Sequence, residues 1–345
     1  MTSIGFLWRD QEQSRLCTPV LASGLLFLLL TLGACAQKTL PTAIKLSQAG
    51  QEAATQLQEN TILTNDQLNN LNKYALFHAA FRASACQEIK NKDADACTDN
   101  FNTEKEILTT ITSIQKVLGT YSAWIVNLRK SYVAMGELAS YDASGKFITA
   151  FDSLSASTGP LAAAIGVPSP STELTNIFRY AGGKIVGFVQ ANKIIDASKA
   201  IHAELNQAIE LLSEYKRKEQ YTSLQKAYAR TLRNATLLLS SQGALSFKPL
   251  VNEIGASAGL AAAPDTDKLI RNNKHLRVGL NAVIIEIYNQ KLEKIALTYD
   301  KCLEALMALV KVHVELEKDA GIDLTQLTSL IDQLKALAVK IDTQK

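Results

Sequence analysis

Apolar residues recur at helical spacing along most of the chain, and the most regular run lies between positions 107 and 138. Its apolar positions follow one another in steps of three and four: Ile107, Ile111, Ile114, Leu118, Tyr121, Ile125, Leu128, Tyr132, Met135 and Leu138. This spacing is close to the 3.5-residue repeat of coiled coils. It predicts a helix over about residues 100–141, roughly 60 Å long, that ends at the Asp142–Gly145 cluster.

Four weaker apolar stripes predict further helices. They cover residues 63–85, about 172–241, about 265–320 and 324–341, and Asp323 is suited to cap the last of them. No segment alternates apolar and polar residues for long enough to indicate a β-strand. The pattern therefore predicts an all-α fold, an elongated antiparallel bundle of long helices with coiled-coil-like packing.

Two stretches of small and apolar residues interrupt the helical pattern. Leu154–Thr172 carries no charge, and its three prolines and two glycines predict that it is not one straight helix. Phe247–Pro264 is similar in character, and at an offset of 100 positions six of seventeen residues agree. Because small residues inflate such a match, we infer only that similar tips join two helix hairpins, about residues 61–170 and 171–345.

Composition places the chain among globular proteins. Of its 345 residues, 47% are hydrophobic and 20% are charged, which is enough apolar material for a core. Lys and Arg (36) nearly balance Asp and Glu (33), so the net charge is only +3. This balance does not fit a strongly basic nucleic-acid-binding protein, and we expect no nucleic-acid partner.

The N-terminus carries a targeting pattern. Val20–Leu32 is an apolar run of thirteen residues with three small or polar interruptions. It matches the roughly 7–15-residue core of a signal peptide and is short for a membrane span, which needs about 20 residues. The run leads directly into the motif Leu32, Gly33, Ala34 and Cys35.

This motif resembles the lipobox of bacterial lipoproteins, in which a leucine and two small residues precede a cysteine that is acylated. The resemblance implies removal of residues 1–34 and a lipidated Cys35. Residues 35–60 are rich in Gln, Ala and Thr and have few large apolar residues, which predicts a tether that leads into a weak helix, and the bundle follows over residues 61–345. Two or more acyl chains anchor a protein stably. Because Ala36 follows the cysteine in place of Asp, the resemblance implies the outer membrane, with the chain facing the periplasm or the exterior. The alternative is a short transmembrane anchor with an incidental cysteine.

Three cysteines follow the motif. Cys86 and Cys97 flank a polar stretch between two helical patterns, and an oxidising periplasm permits a disulfide between them. Such a bridge closes a small loop and contributes about 3 kcal/mol through chain entropy. The alternative is two unpaired thiols. Cys302 lies on an apolar stripe, so we expect a buried small hydrophobe there.

Candidate catalytic and metal-binding motifs are missing from the sequence. The four histidines are His78, His202, His275 and His313. None belongs to a metal-binding pair on one helix face. His78 and His313 lie on apolar stripes, so we expect hydrogen-bonded core residues. We interpret Glu204, Glu210 and Glu214 as a solvated helix face. The sequence therefore predicts no catalytic residue, metal, cofactor or small-molecule substrate.

These observations favour a structural or interaction protein, a lipid-anchored bundle that binds another envelope protein. The alternative is a membrane-active protein, because long helices around a small apolar tip, over about residues 100–242, resemble the general layout of the α-helical pore-forming toxins of the ClyA type. Burial of the tips separates the two. Buried Leu161, Ile165 and Leu260 indicate structural caps, and exposed ones indicate membrane contact.

Overall fold

The computed structural model describes residues 18–88, 94–141, 143–168, 190–217, 231, 233–240, 242–256, 258–318 and 321–342. Side chains are described from Thr39 onward, apart from residues 85–107 and a few other positions. Throughout these ranges, α-helices are joined by turns and short irregular segments without a β-strand. The predicted all-α class is confirmed.

Eight helices carry most of the described chain. They are α1 (Thr18–Glu88), α2 (Ala94–Ser140), α3 (Ser144–Ile165), α4 (Gln190–Arg217), α5 (Lys248–Ala256), α6 (Thr266–Asn272), α7 (Lys274–Glu317) and α8 (Thr325–Asp342). Residues 233–240 are also helical. Three of the helices are long, with 71 residues in α1, 47 in α2 and 44 in α7.

Local sequence explains where several helices begin and end. As predicted, α2 ends just before the Asp142–Gly145 cluster. Helix α3 ends at Gly166, whose φ of 77° is a left-handed conformation that glycine adopts without strain. Asn273 caps α7 through its side-chain oxygen, which accepts from two amides of the first turn. Asp323 caps α8, as predicted, by accepting from the amide of Thr325 at 2.9 Å.

Helices α1 and α2 form an antiparallel pair. Three hydrogen bonds set its register: Ser47 Oγ to the Tyr132 carbonyl (2.6 Å), Gln58 Nε2 to Ser122 Oγ (2.6 Å) and Asn72 Nδ2 to Gln115 Oε1 (3.3 Å). Residue numbers rise along α1 as they fall along α2. Gly50 allows the close approach, because a Cβ at this position would collide with the ring of Tyr132.

One large core joins α1, α2, α3, α4, the second half of α7, and α8. The apolar stripe predicted on α2 is buried, except that Leu118 is half-buried and the side chain of Ile107 is outside the description. Helix α3 packs on α2, α4 packs on α3 and α7, and α8 packs on α1 and α7. A second, much smaller cluster is built on Phe247, Ile270 and Leu280 from the segment that precedes the second half of α7.

Residues 39–60 differ from the expected tether. They are helical, and Leu46, Ala53 and Leu57 of this stretch are fully buried in the large core. The stretch has few large apolar residues, which suggested weak packing. The physical reason for the difference is that its small residues let α1 and α2 approach closely, so modest side chains still bury well.

The two interrupting stretches also differ from expectation. Helix α3 continues through Pro160, whose ring lies on an exposed face, and the chain leaves the helix only at Gly166. The second stretch forms the short helix α5 and then a turn at Gly259, so the two tips are not similar. The helix predicted from about residue 265 is broken at Asn273 into α6 and α7.

Candidate functional site

The residues of the lipobox-like motif and of the predicted disulfide fall in two different helices. Leu32, Gly33, Ala34 and Cys35 lie within α1, and their side chains are outside the described residues. Cys86 lies near the end of α1 and Cys97 near the start of α2. Their side chains are also outside the description, as is that of His78. The lipid attachment and the disulfide stay predictions.

The bundle has two unlike ends. Near the start of α1, Thr39 is buried only four residues after Cys35. At this end Gln190 Nε2 of α4 donates to the carbonyl of Leu138 of α2 at 2.7 Å. At the opposite end, α1 meets the first half of α7, where burial raises the pKa of Tyr288, with a smaller contribution from the neighbouring Tyr74.

Exposed apolar side chains are concentrated at this opposite end. Among the described residues, eighteen large apolar side chains are exposed, and nine of them lie between positions 245 and 297. They are Leu245, Ile254, Leu260, Leu269, Leu276, Val278, Val283, Ile287 and Leu297, and we call these nine the distal surface. Leu260 is 67% exposed and Val278 is 60% exposed. A contiguous exposed apolar patch of several hundred Å² commonly marks an interaction site.

Side chain to backbone hydrogen bonds brace the segment that carries the distal surface, in addition to its small apolar cluster. Asp267 Oδ1 accepts from the amide of Phe247 at 2.7 Å. A hydrogen bond from Ser246 is the largest cause that lowers the pKa of Asp267. Asn252 Oδ1 accepts from the amide of Ala262 at 2.6 Å. These bonds fix the backbone locally, so the apolar side chains can stay outside the small cluster.

The sequence offered one signal for the distal surface that the periodicity did not capture. Apolar residues in the first half of α7 occupy several faces of the helix, whereas the predicted stripe there uses only Ile284, Tyr288, Leu292 and Ile295. A helix that is apolar on several faces is buried or has a partner.

A buried polar network lies in the large core at the end near Thr39. His313 Nε2 lies 2.9 Å from Tyr132 Oη, and His313 Nδ1 lies 2.8 Å from Ser198 Oγ. Ser198 also donates to Glu317 at 3.4 Å, and His202 Nδ1 lies 3.1 Å from the same carboxylate. The expectation that His313 is a hydrogen-bonded core residue is confirmed.

The protonation and burial of this network fit a structural role. Burial, with a smaller contribution from His202, lowers the pKa of His313 to about 3, so the imidazole is neutral and carries one N–H. One consistent chain of donors runs from the Tyr132 hydroxyl to Nε2, from Nδ1–H to Ser198, and from Ser198 to Glu317. Ser198 is fully buried, so a substrate has no access to its hydroxyl in this conformation.

The expectation that Glu204 lies on a solvated face of α4 is wrong. Its side chain is buried, and Oε2 accepts from Thr158 Oγ1 of α3 at 2.7 Å. Burial raises the pKa of Glu204, and hydrogen bonds from Thr158 and Ser155 oppose the rise. Thr158 sits within the apolar stripe of α3, and that polar position was the available signal. Glu210 is exposed, as expected.

Two features are absent from the described residues. No helix in the described part of the chain is long and apolar enough to cross a membrane. Within the same residues, no group of three or more His, Cys, Asp or Glu side chains could hold a metal ion.

Comparisons with known proteins found no match, whether against family models, curated proteins or solved structures.

Proposed function

We propose that the protein is a lipid-anchored, non-catalytic helical bundle of the outer membrane, which binds another envelope protein through its distal surface. Residues 1–34 act as a signal peptide, and Cys35 carries the acyl chains. The distal surface is the observation that carries the proposal, because nine exposed large apolar side chains fall within 53 positions. Covering such surface with a partner contributes about 25 cal/mol per Å² of apolar area buried.

The long helices separate the anchored end of the bundle from the distal surface. The antiparallel register of α1 and α2 and the regular stripe on α2 support an elongated bundle with coiled-coil-like packing. From Thr39 to Tyr74, α1 rises by roughly 50 Å at about 1.5 Å per residue. An anchor at Cys35 therefore holds the start of the bundle beside the membrane and the distal surface well away from it.

The alternative proposal is a membrane-active protein whose distal surface inserts into a second membrane. The observation that favours it is the charge-free segment from Ile254 to Pro264, where Leu260 is 67% exposed. In the described part of the first tip, Leu161 and Ile165 are buried, so these two side chains offer nothing to such a membrane.

The anchor is tested by Cys35→Ser. We expect this variant to lose radioactive fatty-acid label and to leave the outer-membrane fraction or keep its leader. Label that persists in Cys35→Ser contradicts the anchor.

The distal surface is tested by site-specific photocrosslinking in native cells. A crosslinking residue at Leu260 or Val278 should give a discrete protein adduct, because both side chains are highly exposed. Met307, 46% exposed on the second half of the same helix as Val278, is the matched control and should give none. The alternative is supported if no protein adduct forms and the unlipidated chain binds protein-free liposomes. In that case Leu260→Gln should abolish the liposome binding.

A further inference from the structure

Positive charge is concentrated within the segment that carries the distal surface. The whole chain has a net charge of only +3. Residues 268–285, in contrast, contain no Asp or Glu and four positively charged side chains, which we call the basic group: Lys268, Arg271, Lys274 and Arg277. This short stretch alone therefore carries more positive charge than the chain as a whole.

The basic group lies on both sides of the break between α6 and α7. Asn273 ends α6 and caps α7, with Lys268 five positions before it and Arg277 four positions after it. At about 1.5 Å per residue, every member lies within roughly 8 Å of Asn273 along its helix. Ile270 of α6 and Leu280 of α7 share the small apolar cluster, so the two helices are packed together. The four charges are thus confined to one end of the α6–α7 pair.

Exposed side chains of the distal surface alternate with the basic group. Leu269 follows Lys268 directly, and Leu276 and Val278 flank Arg277. All three apolar side chains are exposed, as is Lys268, and Arg277 is half-buried. A partner that covers these apolar side chains must therefore come within reach of the charges.

Two members of the basic group lie where they oppose local helix stability. The N-terminal end of a helix carries a partial positive charge, which favours Asp and Glu in the first turn. Helix α6 follows this rule, with Asp267 in its first turn and Arg271 in its last. The first turn of α7 has no acidic residue, and Lys274 and Arg277 are its first and fourth residues. Helix stability does not explain these two cations, whereas an anionic partner would offset their repulsion with the helix end.

Carboxylates of the chain compensate only part of the basic group. Arg271 is four positions after Asp267 on α6, the spacing at which opposite charges are neighbours on a helix. Within the described part of the chain, Lys268, Lys274 and Arg277 form no ion pair. These three cations can therefore pair with carboxylates from outside the chain.

The rest of the distal surface favours a protein over a lipid bilayer as the partner. All nine of its apolar side chains are Leu, Ile or Val, whereas membrane interfaces favour Trp and Tyr. Glu286 and Glu293 are exposed among these side chains, and an anionic bilayer would repel both. A protein surface can present carboxylates to the basic group and other side chains to the two glutamates.

On the basis of the proposed function, we propose that the envelope protein bound by the distal surface carries an acidic patch. Its Asp and Glu carboxylates pair with Lys268, Lys274 and Arg277, and its apolar side chains cover the exposed leucines and valine between them. Such charge complementarity at the rim of an interface speeds association and selects the partner.

Zero-length carbodiimide coupling in isolated native envelopes tests this contact directly. The reagent joins a lysine amine to a carboxylate only where the two groups touch. Mass spectrometry should recover Lys268 or Lys274 in an amide link to an Asp or Glu of another protein. Lys130, an exposed lysine of α2, is the control and should form no such link.

A triple variant separates the charges from the apolar contact. Lys268→Gln, Lys274→Gln and Arg277→Gln together should lower the yield of the photocrosslinked adduct at Leu260 by about tenfold at low salt, because complementary charges raise association rates by about 10–10³-fold. Added salt should lower the wild-type yield toward that of the variant, because it screens the charges. The variant should melt no lower than the wild type, because it relieves the repulsion at the start of α7.

The matched control removes the same charge from α2. Lys116→Gln, Arg129→Gln and Lys130→Gln together change three exposed side chains and should keep the wild-type adduct yield. Loss of the adduct in both triple variants would mean that only net charge matters and would overturn the proposal.

The remaining outcomes separate this proposal from the proposed function. Equal adduct yields in the wild type and in both triple variants leave the protein-binding function standing and overturn the acidic partner. The absence of an adduct in the wild type contradicts the proposed function and this proposal with it. Binding of the unlipidated chain to phosphatidylglycerol vesicles, lost in the variant at residues 268, 274 and 277 and without any protein adduct, overturns the proposal in favour of an anionic membrane.

Discussion

Helix α3 and the segment from Phe247 to Leu297 contrast two fates of similar sequence. In each, a buried phenylalanine, Phe147 or Phe247, is followed by a stretch rich in small and apolar residues, which reaches Ile165 in α3 and Pro264 in the later segment. In α3 the apolar stripe from Phe147 to Ile165 is buried against α2 and α4. In the later segment only three apolar side chains form a buried cluster, and eight large apolar side chains are exposed.

The difference comes from neighbours rather than from composition. Helix α3 can run as one regular helix because Pro160 lies on its exposed face, and helices α2 and α4 are available to cover its stripe. The chain after Phe247 turns at Gly259 and breaks again at Asn273, so it presents short helices to solvent. Similar apolar content therefore makes a buried core in one place and an exposed apolar surface in the other.

The largest expected effect comes from the same charge placed in each region. Ile165→Asp buries an unpaired carboxylate at a side chain that is 2% exposed, and should destabilise the fold by several kcal/mol. Leu260→Asp, at a side chain that is 67% exposed, should change stability by less than about 0.5 kcal/mol. Urea unfolding measures both. Similar losses in the two variants would erase the contrast.

The polar network gives the next effect, through pH. His313 has its pKa lowered to about 3 in the folded protein, whereas unfolded histidine titrates near 6.5. The unfolded chain therefore binds the proton first, and stability is lost as pH falls from about 6.5 toward 3. Between pH 6.5 and pH 5 the loss from this group is about 1–2 kcal/mol.

The matched variant for this prediction is His313→Gln, which keeps a polar side chain without the titration. We expect the difference in unfolding free energy between wild type and variant to shrink on acidification over this window. A difference that is constant with pH would mean that His313 is not buried in its neutral form.

Glu204 gives the smallest effect, of opposite sign. Its folded pKa is raised, so the folded state binds the proton more readily and relative stability falls as pH rises through that pKa. Glu204→Gln keeps an acceptor for Thr158 and removes the buried charge. The variant should be at least as stable as the wild type at pH 8 and lose this advantage at pH 4. Glu210→Gln, at an exposed position on the same helix, is the control and should show no such trend.

Apolar periodicity predicted the buried face of a helix correctly wherever other helices of the chain pack against that face. The stripe on α2, the core position of His313 and the cap at Asp323 could all be predicted, because each depends on local spacing or local chemistry. The burial of residues 39–60 could not be predicted, because small side chains bury well only when a second helix comes close. The pairing of Thr158 with Glu204 also depends on which helices meet, and spacing along one helix carries no such information.

The candidate site was the least predictable part. The second tip was expected to match the first, yet Leu260 is exposed while Leu161 and Ile165 are buried. Apolar residues on several faces of α7 indicate surface that needs a cover, but the sequence does not separate burial within the chain from burial by a partner.

Amide hydrogen exchange of the full-length protein in three settings tests the central claim most directly: purified in detergent, in protein-free liposomes and in native envelope membranes. If a partner protein covers the distal surface, residues 247–297 should exchange more slowly in native membranes than in detergent or liposomes. Helix α3 should exchange alike in all three. Equal exchange of residues 247–297 in all three settings, or protection in protein-free liposomes, would contradict a protein-binding distal surface.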